Sequence, residues 1–280
     1  MKSIEKKDDY LFYENIQDMV EFLKHAPRIG NDNTEYATDK EDDDGFYGNM
    51  SYQEALEKLE FGDKETAENI ENIENQTMMT QKIMQTYKND VYGFMPNVPN
   101  AIMGLPQSMI NIRHHRIKGN NKIIDLVLNA DVSAAVSGEK YQKVTKTFLN
   151  IVDSLEKQGY RLNIYYAITT IFSNSDCCWL MKLKDSTEPF NKYKCAFPLG
   201  TAAMFRRIGF RLIETLPSKK SKREVVNGGY GRPAHGDKMQ KLIKNNFQFN
   251  NIAAKNLVIF DIGDYIGVSA DEIINKIKGE

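Results

Sequence analysis

The chain has 280 residues, 27% of them charged, and 37 Lys and Arg nearly balance 38 Asp and Glu, leaving a net charge of −1. That length permits a full hydrophobic core, and the balance excludes a global field for nucleic acid or an anionic membrane, so any such contact must come from a local patch. Three cysteines are too few for a disulfide framework, and no apolar run approaches the ~18 residues of a membrane span. With no apolar signal core behind Met1–Asp9, a cytoplasmic protein of an infected host cell or a virion component, with no membrane partner, is expected.

Residues 1–90 read as a polar, mostly helical region. A short helix is predicted from Ile16 to His25, and the acidic run Asp39 to Asp44 reads as a solvated loop. Ser51-Tyr-Gln-Glu54 matches a capping box, opening a helix through Ala55, Leu56 and Leu59 that stops before Gly62. Ala67, Ile70, Ile73, Ile83, Met84 and Tyr87 predict a longer helix over 64–87, with Met78 and Met79 filling an irregular part of the core.

Residues 91–280 read as an α/β core. Gly93, Pro96, Pro99, Gly104 and Pro106 mark a turn-rich connector. Ser108 to Arg113 is predicted to begin the sheet, with Lys118-Gly-Asn-Asn121 as the hairpin turn into the next strand. Ile123–Leu128 is rich in β-branched residues and suits a buried strand. Tyr141, Val144, Phe148, Ile151, Val152 and Leu155 then recur at helical spacing between a Ser137 cap and a Gly159 stop, and Arg161–Ile168 supplies a second strand. A crossover of this length joins parallel neighbours, so the segment is a βαβ unit. Cys178–Leu183 is predicted as a strand, Ala202, Phe205 and Ile208 as one helical face closed by Gly209, and Phe210–Thr215 as a further strand. A basic, glycine-rich loop follows at 217–233. Leu257–Phe260 reads as a buried strand, and Ser269-Ala-Asp-Glu272 as a second capping box before a last helix through Ile273, Ile274 and Ile277. The fold class is α/β, a mainly parallel sheet flanked by helices, Rossmann-like or more narrowly von Willebrand A-like, with a helical N-terminal extension.

Sites in such sheets lie at the carboxyl ends of the strands, where Asp131 and Ser133 fall. Asp131-Val-Ser133 sits where a von Willebrand A-type domain would hold a divalent metal in a cage of oxygen ligands. The second serine of that pattern is replaced by Ala135, while Asp261, or Asp264 just beyond, could add a carboxylate from another strand end. Magnesium is the cofactor this arrangement would take; otherwise none is expected. Ser137-Gly-Glu-Lys140 lacks the glycine-rich span and the hydroxyl residue of a phosphate loop.

Arg206, Arg207, Arg211, Lys219, Lys220, Lys222, Arg223 and Arg232 form the basic region, with Tyr230 interleaved. On a flexible segment they could grip a phosphate backbone; alternatively the arginines pair with acidic neighbours such as Glu214 while the lysines are solvated. His114 and His115 are adjacent on a strand and face opposite ways, and Cys195 reads as a buried structural thiol.

Several segments, in this order, resemble a family of uncharacterised proteins of tailed phages and bacterial mobile elements. They are Phe46-Tyr-Gly-Asn-Met-Ser-Tyr-Gln-Glu-Ala-Leu56, the stretch from Val91 to Met109, the βαβ unit, Ala203-Met-Phe-Arg-Arg-Ile-Gly-Phe210 and Gly228-Gly-Tyr-Gly-Arg-Pro233. The resemblance implies a phage or mobile-element origin and a Rossmann-like or von Willebrand A-like domain, and it transfers no reaction. Relatives often have a small residue where this chain has Asp131. The leading expectation is a non-enzymatic interaction module for a phage or host protein or for nucleic acid. The alternative is a metal-dependent enzyme or metal-switched binder centred on Asp131, Ser133 and Asp261.

Overall fold

The computed structural model describes residues 9–30, 34–41, 45–69, 83–116, 123–133, 136–157, 159–173, 175–216, 225 and 229–262. The protein divides into two compact units, a body (1–76 and 123–280) and an arm (77–122). This division departs from the expected boundary at residue 90, because the N-terminal elements fold into the body's own core.

The body is an α/β unit around a mainly parallel sheet. Strands β1 (Asp9–Tyr13), β5 (Ile123–Asn129), β6 (Arg161–Ile171), β7 (Asp176–Lys184) and β9 (Leu257–Asp261) lie in the order β1-β7-β6-β5-β9, and β8 (Arg232–Pro233) pairs with the end of β6. Strand β5 is parallel to both β6 and β9, and β1 is parallel to β7, whereas β6 and β7 are antiparallel. The predicted βαβ unit is present: α5 (Gly138–Lys157) crosses from β5 to β6, and Gly159 ends the crossover at φ +89°. That left-handed conformation is nearly free for glycine and costly for any other residue.

Alternation along the strands divides the core. Leu126, Leu128, Ile164, Tyr166, Trp179 and Met181 pack in one cluster with buried residues of α5, of α1 (Ile16–His25) and of α2 (Tyr52–Phe61). Val127, Tyr165, Ala167, Cys178 and Leu180 pack in the other with α8 (Gly236–Phe249), through Met239, Leu242, Ile243 and Phe247. The predicted capping box on α2 is complete: the Ser51 hydroxyl accepts from the Glu54 N–H and the Glu54 carboxylate accepts from the Ser51 N–H.

Four expectations are corrected. The N-terminal region contributes β1 to the sheet and α1 and α2 to the core, so it is not a separate helical extension. Of the predicted helix over 64–87, Lys64–Asn69 is helix α3 and Ile83–Asp90 is strand β2, paired residue by residue with β4 (Met109–Arg116), while 70–82 lie outside the described residues. Strand β4 belongs to the arm's own three-stranded sheet, with β3 (Met95–Pro96), and does not begin the main sheet. Phe210–Thr215 is not a strand. Helix α6 (Lys192–Gly200) is followed by a π-helical turn (Met204–Gly209) that runs straight into α7 (Phe210–Ile213), because Gly209 keeps right-handed helical angles and residues 202–216 are buried on nearly every side. Periodicity is uninformative where every position is buried. The predicted turn at 118–121, Met78, Met79, Asp264 and the capping box at 269–272 lie outside the described residues.

Candidate functional site at the strand ends

Strands β5, β6 and β9 run in the same direction, so their carboxyl ends meet at one edge of the sheet. Asp131 lies just past β5, Thr169 and Thr170 near the end of β6, and Asp261 closes β9. The segment leading into α8 lies against the same edge. Strand β8 pairs with Thr170 and Ile171, the Ala234 N–H donates to Thr169 O at 2.8 Å, and His235 comes to rest beside Asp261. Gly231, at φ +76°, permits this approach, since a Cβ there would strike the Thr170 side chain and lie 2.9 Å from Ile171 O.

Two hydrogen-bonded chains result. The Thr170 hydroxyl donates to Asp131 Oδ2 at 2.8 Å. The Thr169 hydroxyl donates to Asn129 Oδ1 at 3.0 Å, and Asn129 Nδ2 donates in turn to Asp261 Oδ1 at 3.1 Å. His235 Nδ1 lies 3.3 Å from Asp261 Oδ2. Asp131 is 1% exposed, and burial pushes its carboxyl up to about 8, with the Thr170 hydrogen bond opposing the shift and the Asp261 charge adding to it. A carboxyl so placed is neutral near pH 7 and gains from any cation that offsets the desolvation.

The oxygen donors suit a hard cation in kind: two buried carboxylates, the Thr170 hydroxyl, and exposed Ser133 on the segment leaving β5. They are few. Among the described residues no cluster of three or more His, Cys, Asp or Glu could by itself hold a metal. Magnesium fits such a set better than calcium, because it keeps several waters and is held by one or two carboxylates, whereas calcium takes six to eight oxygens. Ala135, where the second serine of the pattern would stand, lies outside the described residues.

The sequence singled out Asp131, Ser133 and Asp261, and the structure brings Asn129, Thr169, Thr170 and His235 to the same edge of the sheet. The pair of threonines ending an otherwise apolar strand was the available signal. Nothing local marked Asn129 or His235, whose partners are 132 and 26 residues away.

The basic region separates into two groups. Arg206, Arg207 and Arg211 are 3%, 1% and 8% exposed, which removes them from any surface. Arg206 donates to Phe46 O and Val136 O, both at 2.8 Å, with its guanidinium over the Phe46 ring. Arg207 donates to Met50 O at 2.9 Å and Lys40 O at 2.8 Å, reaches Ala37 O and Thr38 O, and stacks on Tyr47. Arg211 donates to Ala26 O at 2.7 Å. These side chains tie N-terminal segments to the π-helical turn and α7. Glu214 pairs with Arg28 at 3.2 Å and accepts hydrogen bonds from Thr38 and Tyr230. Burial raises its carboxyl in spite of those partners. Arg232 is exposed, while Lys219, Lys220, Lys222 and Arg223 lie outside the described residues.

All three cysteines are buried, and burial pushes the Cys195 thiol up to about 12, which suits a structural thiol and not a nucleophile. No helix among the described residues is long and apolar enough to cross a membrane.

A family model described as a domain of unknown function (DUF7192) matches residues 6–276, from the first strand of the body nearly to the end of the chain. The chain belongs to this family. No curated protein and no solved structure matches it. As the DUF7192 match runs through body and arm alike, the arm is part of the family's domain.

Proposed function

We propose that this DUF7192 protein is a non-enzymatic interaction module whose binding is switched by a divalent cation, magnesium by preference, at the strand ends of a von Willebrand A-like core. The observation that carries this reading is the pair of buried carboxylates, Asp131 and Asp261, ending adjacent parallel strands, with Asp131 raised to about 8. Asp131, Asp261 and the Thr170 and Ser133 hydroxyls would hold the ion, which would supply a positive charge where burial now favours a proton. A carboxylate or other hard anionic group on a protein of the phage or its host could then complete the coordination. The resemblance to phage and mobile-element proteins supports that setting.

A protein partner is favoured over nucleic acid by the burial of Arg206, Arg207 and Arg211. The nucleic-acid reading is left with Arg232 and with lysines outside the described residues.

Thermal melting and calorimetry with Mg²⁺ test the reading. Magnesium is expected to raise the Tm of the wild-type chain and not that of Asp131→Asn, since a ligand stabilises only the state that binds it. The affinity should strengthen as pH rises toward about 8, because the ion displaces the Asp131 proton. A Tm indifferent to Mg²⁺, Mn²⁺ and Ca²⁺ across that range would overturn it.

A further inference from the structure

Helix α8 keeps outside what the core takes in from the predicted basic region. Met239, Leu242, Ile243 and Phe247 face the sheet, and Asn246 Nδ2 pins the helix by donating to Cys178 O at 2.7 Å and Leu11 O at 3.0 Å. The opposite side of the helix is open to solvent and exposes Lys238, Lys241 and Lys244, with Gln240 and Gln248. Residues three apart on a helix are neighbours on its surface, so the lysines form one stripe.

The stripe is basic without compensation. Four lysines and no Asp or Glu fall between Lys238 and Phe260, in a chain whose net charge is −1. Lys238 pairs with Asp176 at 3.1 Å, whereas Lys241, Lys244 and Lys255 form no ion pair among the described residues. Helix α5 also exposes Lys140, Lys143 and Lys146, but it shares them with Glu139, Asp153 and Glu156, and it packs in the other core cluster.

The chemistry of this face selects its partner. Protein interfaces are depleted in Lys and enriched in aromatic residues at their centre, and among the described residues no large apolar side chain from His235 to Asn256 is clearly exposed. The apolar face of α8 is held by the sheet, which leaves nothing to insert into a bilayer. Single-stranded nucleic acid needs aromatic platforms for its bases, and this face offers none. Lysines edged with amides match the backbone of a duplex, whose protein interfaces are polar, strongly positive and governed by phosphate contacts.

We propose that the Lys238, Lys241 and Lys244 face of α8 binds the phosphate backbone of duplex nucleic acid without regard to sequence. This surface is independent of the cation proposed at the strand ends. Fluorescence anisotropy on the full chain tests it in chelator, so that the strand-end ion plays no part, with a labelled DNA duplex and its RNA counterpart as probes. Micromolar binding is expected at low salt, with log K falling against log[salt] at a slope of about −2 to −4, as for two to four phosphate contacts. Lys241→Gln together with Lys244→Gln should weaken binding at least about 10-fold and make the slope shallower by about 2. Both positions are exposed and Gln keeps the helix propensity of Lys, so circular dichroism should show wild-type melting. Lys143→Gln together with Lys146→Gln on α5 should leave affinity and slope unchanged. A wild type that binds neither duplex at low salt would overturn the proposal, as would an α8 variant with an unchanged slope. So would an α5 variant that weakens binding equally, since the duplex would then read overall charge, or a peptide of ten glutamates bound as tightly as the duplex, which would make the face a site for acidic protein.

Discussion

The body and the arm spend the same kinds of residue in opposite places. The body buries three arginines, Glu214, Asp131 and Asp261 among its apolar side chains, while the arm leaves tyrosines, phenylalanine, isoleucine and methionine facing solvent. In the body each of these charges meets hydrogen-bond partners supplied by segments distant in sequence. Arg207 alone reaches carbonyls of Ala37, Thr38, Lys40 and Met50. The arm is a three-stranded sheet with a short helix, α4 (Val98–Ile102), and none of α4 is buried. The contrast teaches that charge in the body marks internal joints, whereas in the arm apolar side chains stay exposed.

Breaking an internal joint should have the largest effect. Arg207→Met is expected to cost about 4 kcal/mol, because it strands several buried carbonyls and loosens the N-terminal segments from the π-helical turn. Denaturant titration checks this, and a loss under about 1 kcal/mol would show that water replaces the guanidinium freely.

The comparison sharpens with one residue type placed in each region. Ile208 is 0% exposed in the body, and Ile208→Ala should cost about 3 kcal/mol. Ile102→Ala in the arm should change the stability of the body by no more than about 0.5 kcal/mol in dilute solution, as exposed substitutions do. Equal losses at the two sites would mean that the arm surface is covered within a single chain.

Asp131 is the place where the body's rule is least satisfied. Its carboxyl is raised from 3.8 to about 8, so between those values the folded state holds a proton that the unfolded state has released. The stability contributed by that proton is full below pH 4 and is lost as pH rises through about 8. Asp131→Asn removes the penalty while keeping an oxygen for the Thr170 hydroxyl. In chelator it should therefore stabilise the protein by up to about 4 kcal/mol at pH 7, with the gain vanishing near pH 4. Melting curves across that range check the sign, and a variant less stable than wild type at pH 7 would mean that Asp131 is ionised in the folded protein at that pH.

The sequence by itself determined what rests on neighbours a few residues apart. The βαβ unit from Ile123 to Ile168, the capping box at Ser51 and Glu54, the stop at Gly159 and the position of Asp131 beyond a strand were all legible, because periodicity, capping and chain reversal are local. It also marked Asp261 as a second carboxylate at a strand end. Only the tertiary structure decided which residues meet. It made 83–90 a strand by pairing it with 109–116, and continued the helix through Gly209 where a strand was expected. It turned a run of arginines from a surface patch into buried ties, and brought Thr170, Asn129 and His235 to the carboxylates. The physical reason is common to all of these. Burial and strand pairing are properties of partners up to 235 residues apart, as in Asn246 and Leu11, and nothing in the local pattern of a segment records what will cover it.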